Sequence, residues 1–498
     1  MKKSSLKKSR MHGSFSVVHG EDSVGELRLR RGASFLRLHH TGPVHSLPDE
    51  TVIHGSLNDR VKVSCIDCIV TSSGSGTSNG NGNYHYTEVF PHYVALGSEH
   101  LRPCEPMIKA VHFSISDVDT VFYDFDAFGH VIDPKSLIEE VVAKNKIGRT
   151  VPVGEFPVIA YFTGKREVIS VDTAIGHIAV NHRPGWSMGG PSGVQIMNKM
   201  TISIKPESPA VFEDCIDGIL TLHRFLSLIA GRRQGVKSIQ LELSNETNEH
   251  PVFLDLYWSL APQATKGSGS KSADRPHPGD LPLNIIHGTE SFATVMQNWI
   301  ARDSGWRTAR GQYSFCLGKG NEYNVARLVA AANMFDILPE AAGPTATKLP
   351  EEVAAAQSEC LVILKRLVPG IERDSAINAI KRMPKPSLPK KVLHRTKVVQ
   401  NYFGSRLLEL DLVAKTAVQC RNYFVHGGSS DFDFAAVEPL ISFLTDTLEF
   451  IFGSSDLIDA GWDGGAWNAE MHGQGHPFAR FKSQYDESLE ALKLALGK

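Results

Sequence analysis

The sequence predicts an α+β chain of two domains, a β-rich N-terminal domain with a packed helix followed by an all-α helical bundle. Three observations carry this reading. Short alternating or apolar runs rich in Val, Ile and aromatics fill the first half, and a composition break made of Gly, Ser, Lys and Pro falls at 264–280. Beyond that break, apolar residues recur at helical spacing almost throughout. At 498 residues the chain is also too long for one ordinary core. The expected boundaries are 1–263 for the β-rich domain, 264–282 for a linker and 283–498 for the bundle.

Runs at 34–38, 60–70, 86–96, 107–115 and 158–162 read as strands of a mostly antiparallel sheet or sandwich. The stretch 71–83, almost purely Thr, Ser, Gly and Asn, reads as a flexible hairpin tip or loop. Asp117, Asp119, Asp124 and Asp126 alternate as on a solvated sheet face, with a divalent-ion site as the sharper alternative. Cys65 and Cys68 would point to opposite faces of an extended strand, and no second pair lies at zinc spacing. Runs at 168–180 and 200–204 continue the β pattern. Ser208 and Pro209 then mark a helix start, the stripe Phe212, Ile216, Ile219, Leu220 and Leu226 follows, and Gly231 ends it. Runs at 236–243 and 252–260 read as closing strands.

In the second half the helical pattern covers about 288–302, 321–338, 350–368, 371–382, 391–426, 434–452 and 480–496. Pro384 to Pro389 interrupts it as an exposed basic loop with Lys385, Lys390 and Lys391, and a Gly- and Trp-rich stretch at 453–476 precedes the last helix.

Composition narrows the function. A net charge of -2 gives no global attraction to nucleic acid, so RNA contact would need a local basic patch. Seven scattered cysteines point to a reducing cytoplasm rather than a disulfide framework. The basic start, including Lys2, Lys3, Lys7, Lys8 and Arg10, lacks the apolar stretch of a secretory signal, and no apolar run is long enough to span a membrane. Dinucleotide, P-loop and His-Glu-x-x-His motifs are absent. Gly185-Trp186-Ser187-Met188-Gly189 has the spacing of a nucleophile elbow, but Pro184 precedes it and more glycines follow, so a Gly-rich loop is expected. His472 and His476 lie in a loop with no matching ligand cluster.

The informative stretch is Arg421-Asn422-Tyr423-Phe424-Val425-His426, followed by Gly427 and Gly428. A helix of about 405–426 leads into it with the apolar stripe Leu407, Leu410, Ala414, Ala417 and Val418, which continues at helical spacing to Arg421, Asn422 and Val425. A guanidinium and a carboxamide thus interrupt a face that should be buried, where such groups are costly unless paired or used. Arg421 also has a structural reading as a snorkelling surface residue, and His426 as a cation at a helix C-terminus before a Gly cap. The chemical reading is metal-free RNA cleavage: the substrate's own 2'-hydroxyl attacks phosphorus while the protein moves protons and stabilises the phosphorane. His426, with an ordinary imidazole pKa of about 6.5, suits proton transfer, Arg421 offers a planar fork to phosphate oxygens, and Asn422 orients the phosphate or the imidazole. Lys385, Lys390, Lys391, Arg395 and Lys415 are candidates to guide the RNA backbone, though a solvated face explains them as well. No metal or cofactor is expected.

An Arg-Asn pair, a short spacer and a His near the end of a late helix resemble the active-site motif of HEPN domains. The form Arg-Asn-Tyr-Phe-Val-His-Gly at 421–427, behind a β-rich region, is similar to the ApeA-like anti-phage family. The resemblance implies an RNA-cleaving helical domain acting in abortive infection, a homodimer in which two motifs share one cleft, and an N-terminal domain that senses a phage-derived trigger or restrains the nuclease. The alternative is a HEPN-fold module that binds RNA or protein without cutting.

Overall fold

The computed structural model describes residues 10–16, 22–40, 51–78, 82–144, 152–187, 189–191, 193–244, 250–265, 276–286, 288–345, 349–427 and 432–498. Lys2 to Lys8 of the basic start, most of the expected linker, and Gly428 lie outside them. By its contacts the chain forms two units, one of residues 1–226, 234–264 and 284–293, the other of 227–233, 265–283 and 294–498. Among the described residues no helix is long and apolar enough to cross a membrane.

The first unit begins with β1 (Arg10–Ser16), β2 (Asp22–Arg28), β3 (Phe35–His40), β4 (Thr51–Leu57), β5 (Lys62–Ser78) and β6 (Gly82–Gly97). These pair in the order β6-β3-β2-β1-β4-β5, and β5 returns to β6, closing a six-stranded antiparallel barrel. Phe15, Leu27, Leu36, Leu38, Ile53 and Val63 fill its interior. A Cβ on Gly25 would stand 2.9 Å from the Phe15 ring, and one on Gly55 would overlap it, so these two glycines make room for the largest core side chain of the barrel. Such glycines also hide β1, β2 and β4 from a periodicity reading, which did not anticipate them.

Two expectations here are corrected. The stretch 71–83 is largely strand: β5 continues to Ser78, and the ladder to β6 runs on to Ser78 opposite Gly82. Gly74 and Gly76 lie opposite Tyr86 and Tyr84, whose rings cover the positions a glycine leaves bare. Cys65 and Cys68 do not face opposite ways. Asp67, at φ 51°, is an extra residue against β4, and the resulting bulge turns both thiols into the core. Burial pushes the Cys68 thiol up to about 12.

Beyond the barrel come β7 (Ile108–Ile115), α1 (Val118–Val121), β8 (Phe128–Ile132), α2 (Lys135–Lys144), β9 (Val158–Phe162), β10 (Glu167–Thr173), β11 (Gly176–His182), β12 (Gly185–Ser187), β13 (Gln195–Met197), β14 (Met200–Lys205), α3 (Phe212–Ala230), β15 (Val236–Leu243) and β16 (Val252–Trp258). The second half of β6 pairs with β16, and the sheet extends through β15, β7, β14 and β11 to β10. The aspartates do not form a sheet face. Asp117 is buried against Gln234, whose Nε2 donates to it at 2.9 Å, and Asp124 pairs with Lys165 at 2.8 Å. Among the described residues no three His, Cys, Asp or Glu side chains gather as metal ligands would. Gly185 to Ser187 pair antiparallel with β13, and among the described residues no helix follows the serine before that strand. α3 starts at Phe212 rather than after Ser208, because Ala210 is held in a β-bridge to Ile108. It ends at Gly231, whose φ is 65°.

The second unit is helical: α4 (Thr289–Ala301) from Thr294 on, α5 (Asp303–Leu317), α6 (Val325–Asp336), α7 (Glu351–Arg366), α8 (Ile371–Arg382), α9 (Leu388–Phe403), α10 (Leu410–His426), α11 (Phe434–Val437), α12 (Ile441–Asp459), α13 (Gly464–Ala469) and α14 (Pro477–Ala495). α12 is the central element, packed against α5, α6, α9, α10 and α14. Asp456 on α12 is fully buried and accepts from Trp299 Nε1 at 2.7 Å, from Arg310 Nε and Nη2 at 2.9 Å each, and from Arg302 Nη2 at 3.0 Å. α5 was not expected, because Gly305, Gly311 and a buried arginine blur its apolar stripe. The glycine at 453 lies inside α12 rather than in a connecting stretch. Part of the expected linker is packed: Leu281 and Pro282 are buried, and Trp462 Nε1 donates to the Pro282 carbonyl at 2.6 Å.

Asp456→Ala removes the buried carboxylate that Arg302 and Arg310 share, leaving Arg310 with Asp303 alone, and should cost about 3–5 kcal/mol, read as a lowered urea midpoint. An unchanged midpoint would show the cluster to be dispensable. His476 is buried at the start of α14, where Nδ1 accepts from the Phe478 N–H at 3.1 Å. Burial holds its imidazole down at about 3. The unfolded chain therefore binds the extra proton first, so this contribution is whole above about pH 6.5 and fades as the pH falls toward 3. His476→Asn, which keeps a capping acceptor but does not titrate, should flatten stability across that window in denaturant melts.

Candidate active site

α9 and α10 are not one helix. Gly404 at φ 53° and Glu409 at φ 53° break the chain between them, so α10 starts at Leu410 rather than near Ser405. Its buried face is Leu410, Val413, Ala414, Ala417 and Val418, seated against α6, α9 and α12. Cys420 is the last buried residue, and Arg421 leaves the core one step later. Gly427, at φ 61°, closes the helix by donating its N–H to the Tyr423 carbonyl at 2.9 Å.

The Arg421 guanidinium is held on two edges. On one, Nη2 and Nε both donate to Asn333 Oδ1, at 2.8 and 3.3 Å, and Nη2 lies 3.8 Å from the Asp336 carboxylate. On the other, Nη1 donates to Asn422 Oδ1 at 3.1 Å and to His426 Nε2 at 3.3 Å. Since the guanidinium can only donate, the last contact is a hydrogen bond in the His426 tautomer that carries its proton on Nδ1 and leaves Nε2 as acceptor. The side chain of Arg421 is only 14% exposed, whereas His426 is exposed. The arrangement therefore joins an anchored, permanently charged hydrogen-bond donor to a solvent-facing imidazole. Tyr423, half exposed, stacks on Phe434 at 3.6 Å beside this group.

Asn333 and Asp336 escaped the sequence reading. A signal was present, because Asn333 interrupts an otherwise apolar run in α6 in the same way that Arg421 interrupts α10. The basic residues divide. Arg395, expected on the RNA path, is buried at 2% exposure, where Nε donates to Ser455 at 3.0 Å and Nη1 pairs with Asp459 at 2.8 Å, so it is structural. Lys390 and Lys391 stand in the first turn of α9 rather than in a loop, since that helix begins at Leu388 with Pro389 as its second residue. Lys391 donates to the Asp336 carbonyl at 2.6 Å, which places it beside the Arg421 anchor. Lys385 is exposed, and Lys415 is exposed and pairs with Asp411 at 3.4 Å.

Comparison with known families gives two matches. The family described as ApeA N-terminal domain 1 matches residues 10–299, more than half of the chain. The chain belongs to the ApeA-like HEPN family. The Apea-like HEPN match itself covers residues 329–465, a span that contains Asn333, Asp336, Arg421, Asn422 and His426. No curated protein and no solved structure matches the chain. The polar group at the end of α10 thus lies within the matched HEPN region, and the barrel within the matched N-terminal domain.

Asn422→Ala and His426→Ala should each change stability by no more than about 1 kcal/mol, because these side chains lie beyond the packed face of α10, and Arg421→Ala, which breaks the bonds to Asn333 of α6, by about 1–3 kcal/mol without loss of the cooperative transition. Urea denaturation of the three variants checks this. A cooperative loss of folding in all of them would make the group a buttress rather than a reactive site.

Proposed function

We propose that this ApeA-like HEPN protein is a metal-independent endoribonuclease acting in anti-phage defence by abortive infection. The observation that carries the reading is the convergence of Arg421, Asn422 and His426 at an exposed helix end, with the guanidinium already anchored from α6. Neutral His426 accepts the proton of a substrate 2'-hydroxyl through Nε2 as that oxygen attacks the adjacent phosphorus. Arg421 turns its Nη1 edge from Asn422 and His426 to the non-bridging oxygens, where negative charge grows in the phosphorane. Asn422 then orients the phosphate. The P–O5' bond breaks and the leaving oxygen takes a proton, giving a 2',3'-cyclic phosphate and a 5'-hydroxyl.

Base and acid are needed at opposite ends of the reacting phosphate, and one exposed imidazole serves one end. We therefore read the active form as a homodimer in which His426 of the partner subunit protonates the leaving oxygen. Lys385, Lys390, Lys391 and Lys415 are proposed to guide the RNA backbone, in a cytoplasmic setting. The N-terminal domain is proposed to receive a phage-derived trigger, and the exposed apolar side chains of Ile132, Phe156 and Val158 in that unit support a protein contact there.

Purified protein should cut a single-stranded RNA in excess EDTA, leave cyclic phosphate ends and spare DNA. Arg421→Ala/His426→Ala should lower the rate at least about a thousandfold. A single 2'-deoxy substitution at the cut site should block that cut. Cleavage at the deoxy position, or activity restored to a chelated sample by a divalent ion, sinks the proposal.

A further inference from the structure

The loop between α5 and α6 lines a pocket of about 270 Å³ whose walls belong entirely to the helical unit. That is the small end of ligand sites, yet more room than a lone ion needs. Arg327 of α6 fixes the loop. Its Nη1 donates to the Gly320 and Glu322 carbonyls at 2.6 and 3.0 Å, and its Nε and Nη2 make a two-point pair with Glu449 of α12 at 2.8 and 2.9 Å. Arg327 is thus fully engaged, and the pocket is built before anything enters it. Two other cations line it without such a partner. Lys319 lies over the Phe315 ring at 5.0 Å, Arg480 of α14 donates to the Gln474 carbonyl at 3.2 Å, and among the described residues neither has a carboxylate at ion-pair distance. Arg232 is also in the lining, so positive charge comes to it from three separate segments. Of the carboxylates there, Glu449 is paired and Glu322 is exposed, whereas Asp446 is half-buried one turn before Glu449. Tyr323 Oη approaches both Asp446 oxygens, at 2.8 and 2.9 Å, but brings a single proton. Among the described residues no other donor reaches that carboxylate, so most of its capacity to accept is open. Burial and Glu449 push its carboxyl up to about 7.

We propose that this pocket binds a small phosphate monoester carrying hydroxyl groups, with the phosphate on Lys319 and Arg480 and a hydroxyl donating to Asp446. The charges select the two ends of the ligand. An ammonium and a guanidinium in one pocket suit a doubly charged oxyanion, because the guanidinium fork matches its oxygens and the ammonium adds a point charge. A plain anion would leave Asp446 unused and be repelled by it, and a plain cation would meet the arginines and the lysine. Leu317 and Pro477 add apolar lining on which a sugar or a base can pack. Sugar phosphates and nucleotides share this chemistry. Arg421, Asn422 and His426 are not in the lining, so the pocket is separate from the end of α10. It does share helices with that site: Arg327 precedes Asn333 on α6, and α12 carries Asp446 and packs on α10. The binding itself requires none of the nuclease chemistry.

Isothermal titration of the full chain at about pH 8, above the second ionisation of a phosphate ester and above the raised Asp446 carboxyl, should show binding of ribose 5-phosphate and adenosine monophosphate, with inorganic phosphate at least roughly tenfold weaker. Comparable affinities for the two esters assign a sugar phosphate, and a tighter monophosphate assigns a nucleotide. Lys319→Ala and Arg480→Ala should each weaken the better ester roughly tenfold. Neither side chain is in an ion pair, so the fold should survive both changes. Asp446→Asn, which keeps an acceptor for Tyr323, should weaken the ester roughly fivefold and leave inorganic phosphate no weaker. Arg421→Ala/His426→Ala should bind as the unaltered chain does, so failure of the nuclease reading would leave this result standing. The proposal is overturned if neither ester binds at about 5 mM, if Lys319→Ala/Arg480→Ala binds undiminished, or if Arg421→Ala/His426→Ala abolishes the binding.

Discussion

The helical unit depends on one buried carboxylate. Asp456 gathers an indole and two guanidinium groups from the α4–α5 region onto α12, and three steps along, Asp459 takes Arg395 of α9. Such a cluster adds little net stability over an apolar core of equal volume, because desolvating the ions offsets most of their attraction. What it supplies is register. If α12 slides or turns, Arg310 loses the carboxylate that takes two of its donors and keeps only Asp303 of its own helix, while still buried beside the Trp299 ring, which it covers at 3.4 Å. α6 and α10 pack on that fixed α12, so the geometry at Arg421 follows from charges far along the same helix.

The candidate site uses polarity differently. Asn333 is neutral, and it holds the Arg421 guanidinium without cancelling its charge. Asp336 stays at 3.8 Å, too far to form a close bidentate pair. A guanidinium fixed by a carboxamide keeps its positive potential, whereas a buried carboxylate partner, such as Glu449 for Arg327, cancels it. The two arginines on one fold thus show the two uses of the residue, as a structural ion and as an available one.

Much of this was legible in the sequence where burial is one-sided. The α+β layout, most helices and the polar interruption at Arg421 all follow from apolar spacing. The barrel strands β1, β2 and β4 were not, because glycines that admit Phe15 and polar residues on the outer face remove the alternation. The 71–78 strand has no periodicity at all and is held by its tyrosine-covered glycines. α5 was masked by Arg310, a core residue of the wrong polarity whose partner lies 146 positions away. Asn333 has the same character: it stands 88 residues from Arg421, and a pairing of that range cannot be read from spacing alone.

The sheet of the first unit is closed at one end and open at the other. The barrel leaves its six strands no free hydrogen-bonding rim, but the same sheet runs on to β10, which among the described residues has β11 on one side only. Such a border could recruit the border of another molecule and seed fibrous aggregation. Here Glu167 and Asp172 are both exposed, and an irregular step between Glu167 and Ile169 kinks the strand. Two charges and a kink make a poor template, so the open border of the sheet carries its own guard against polymerising.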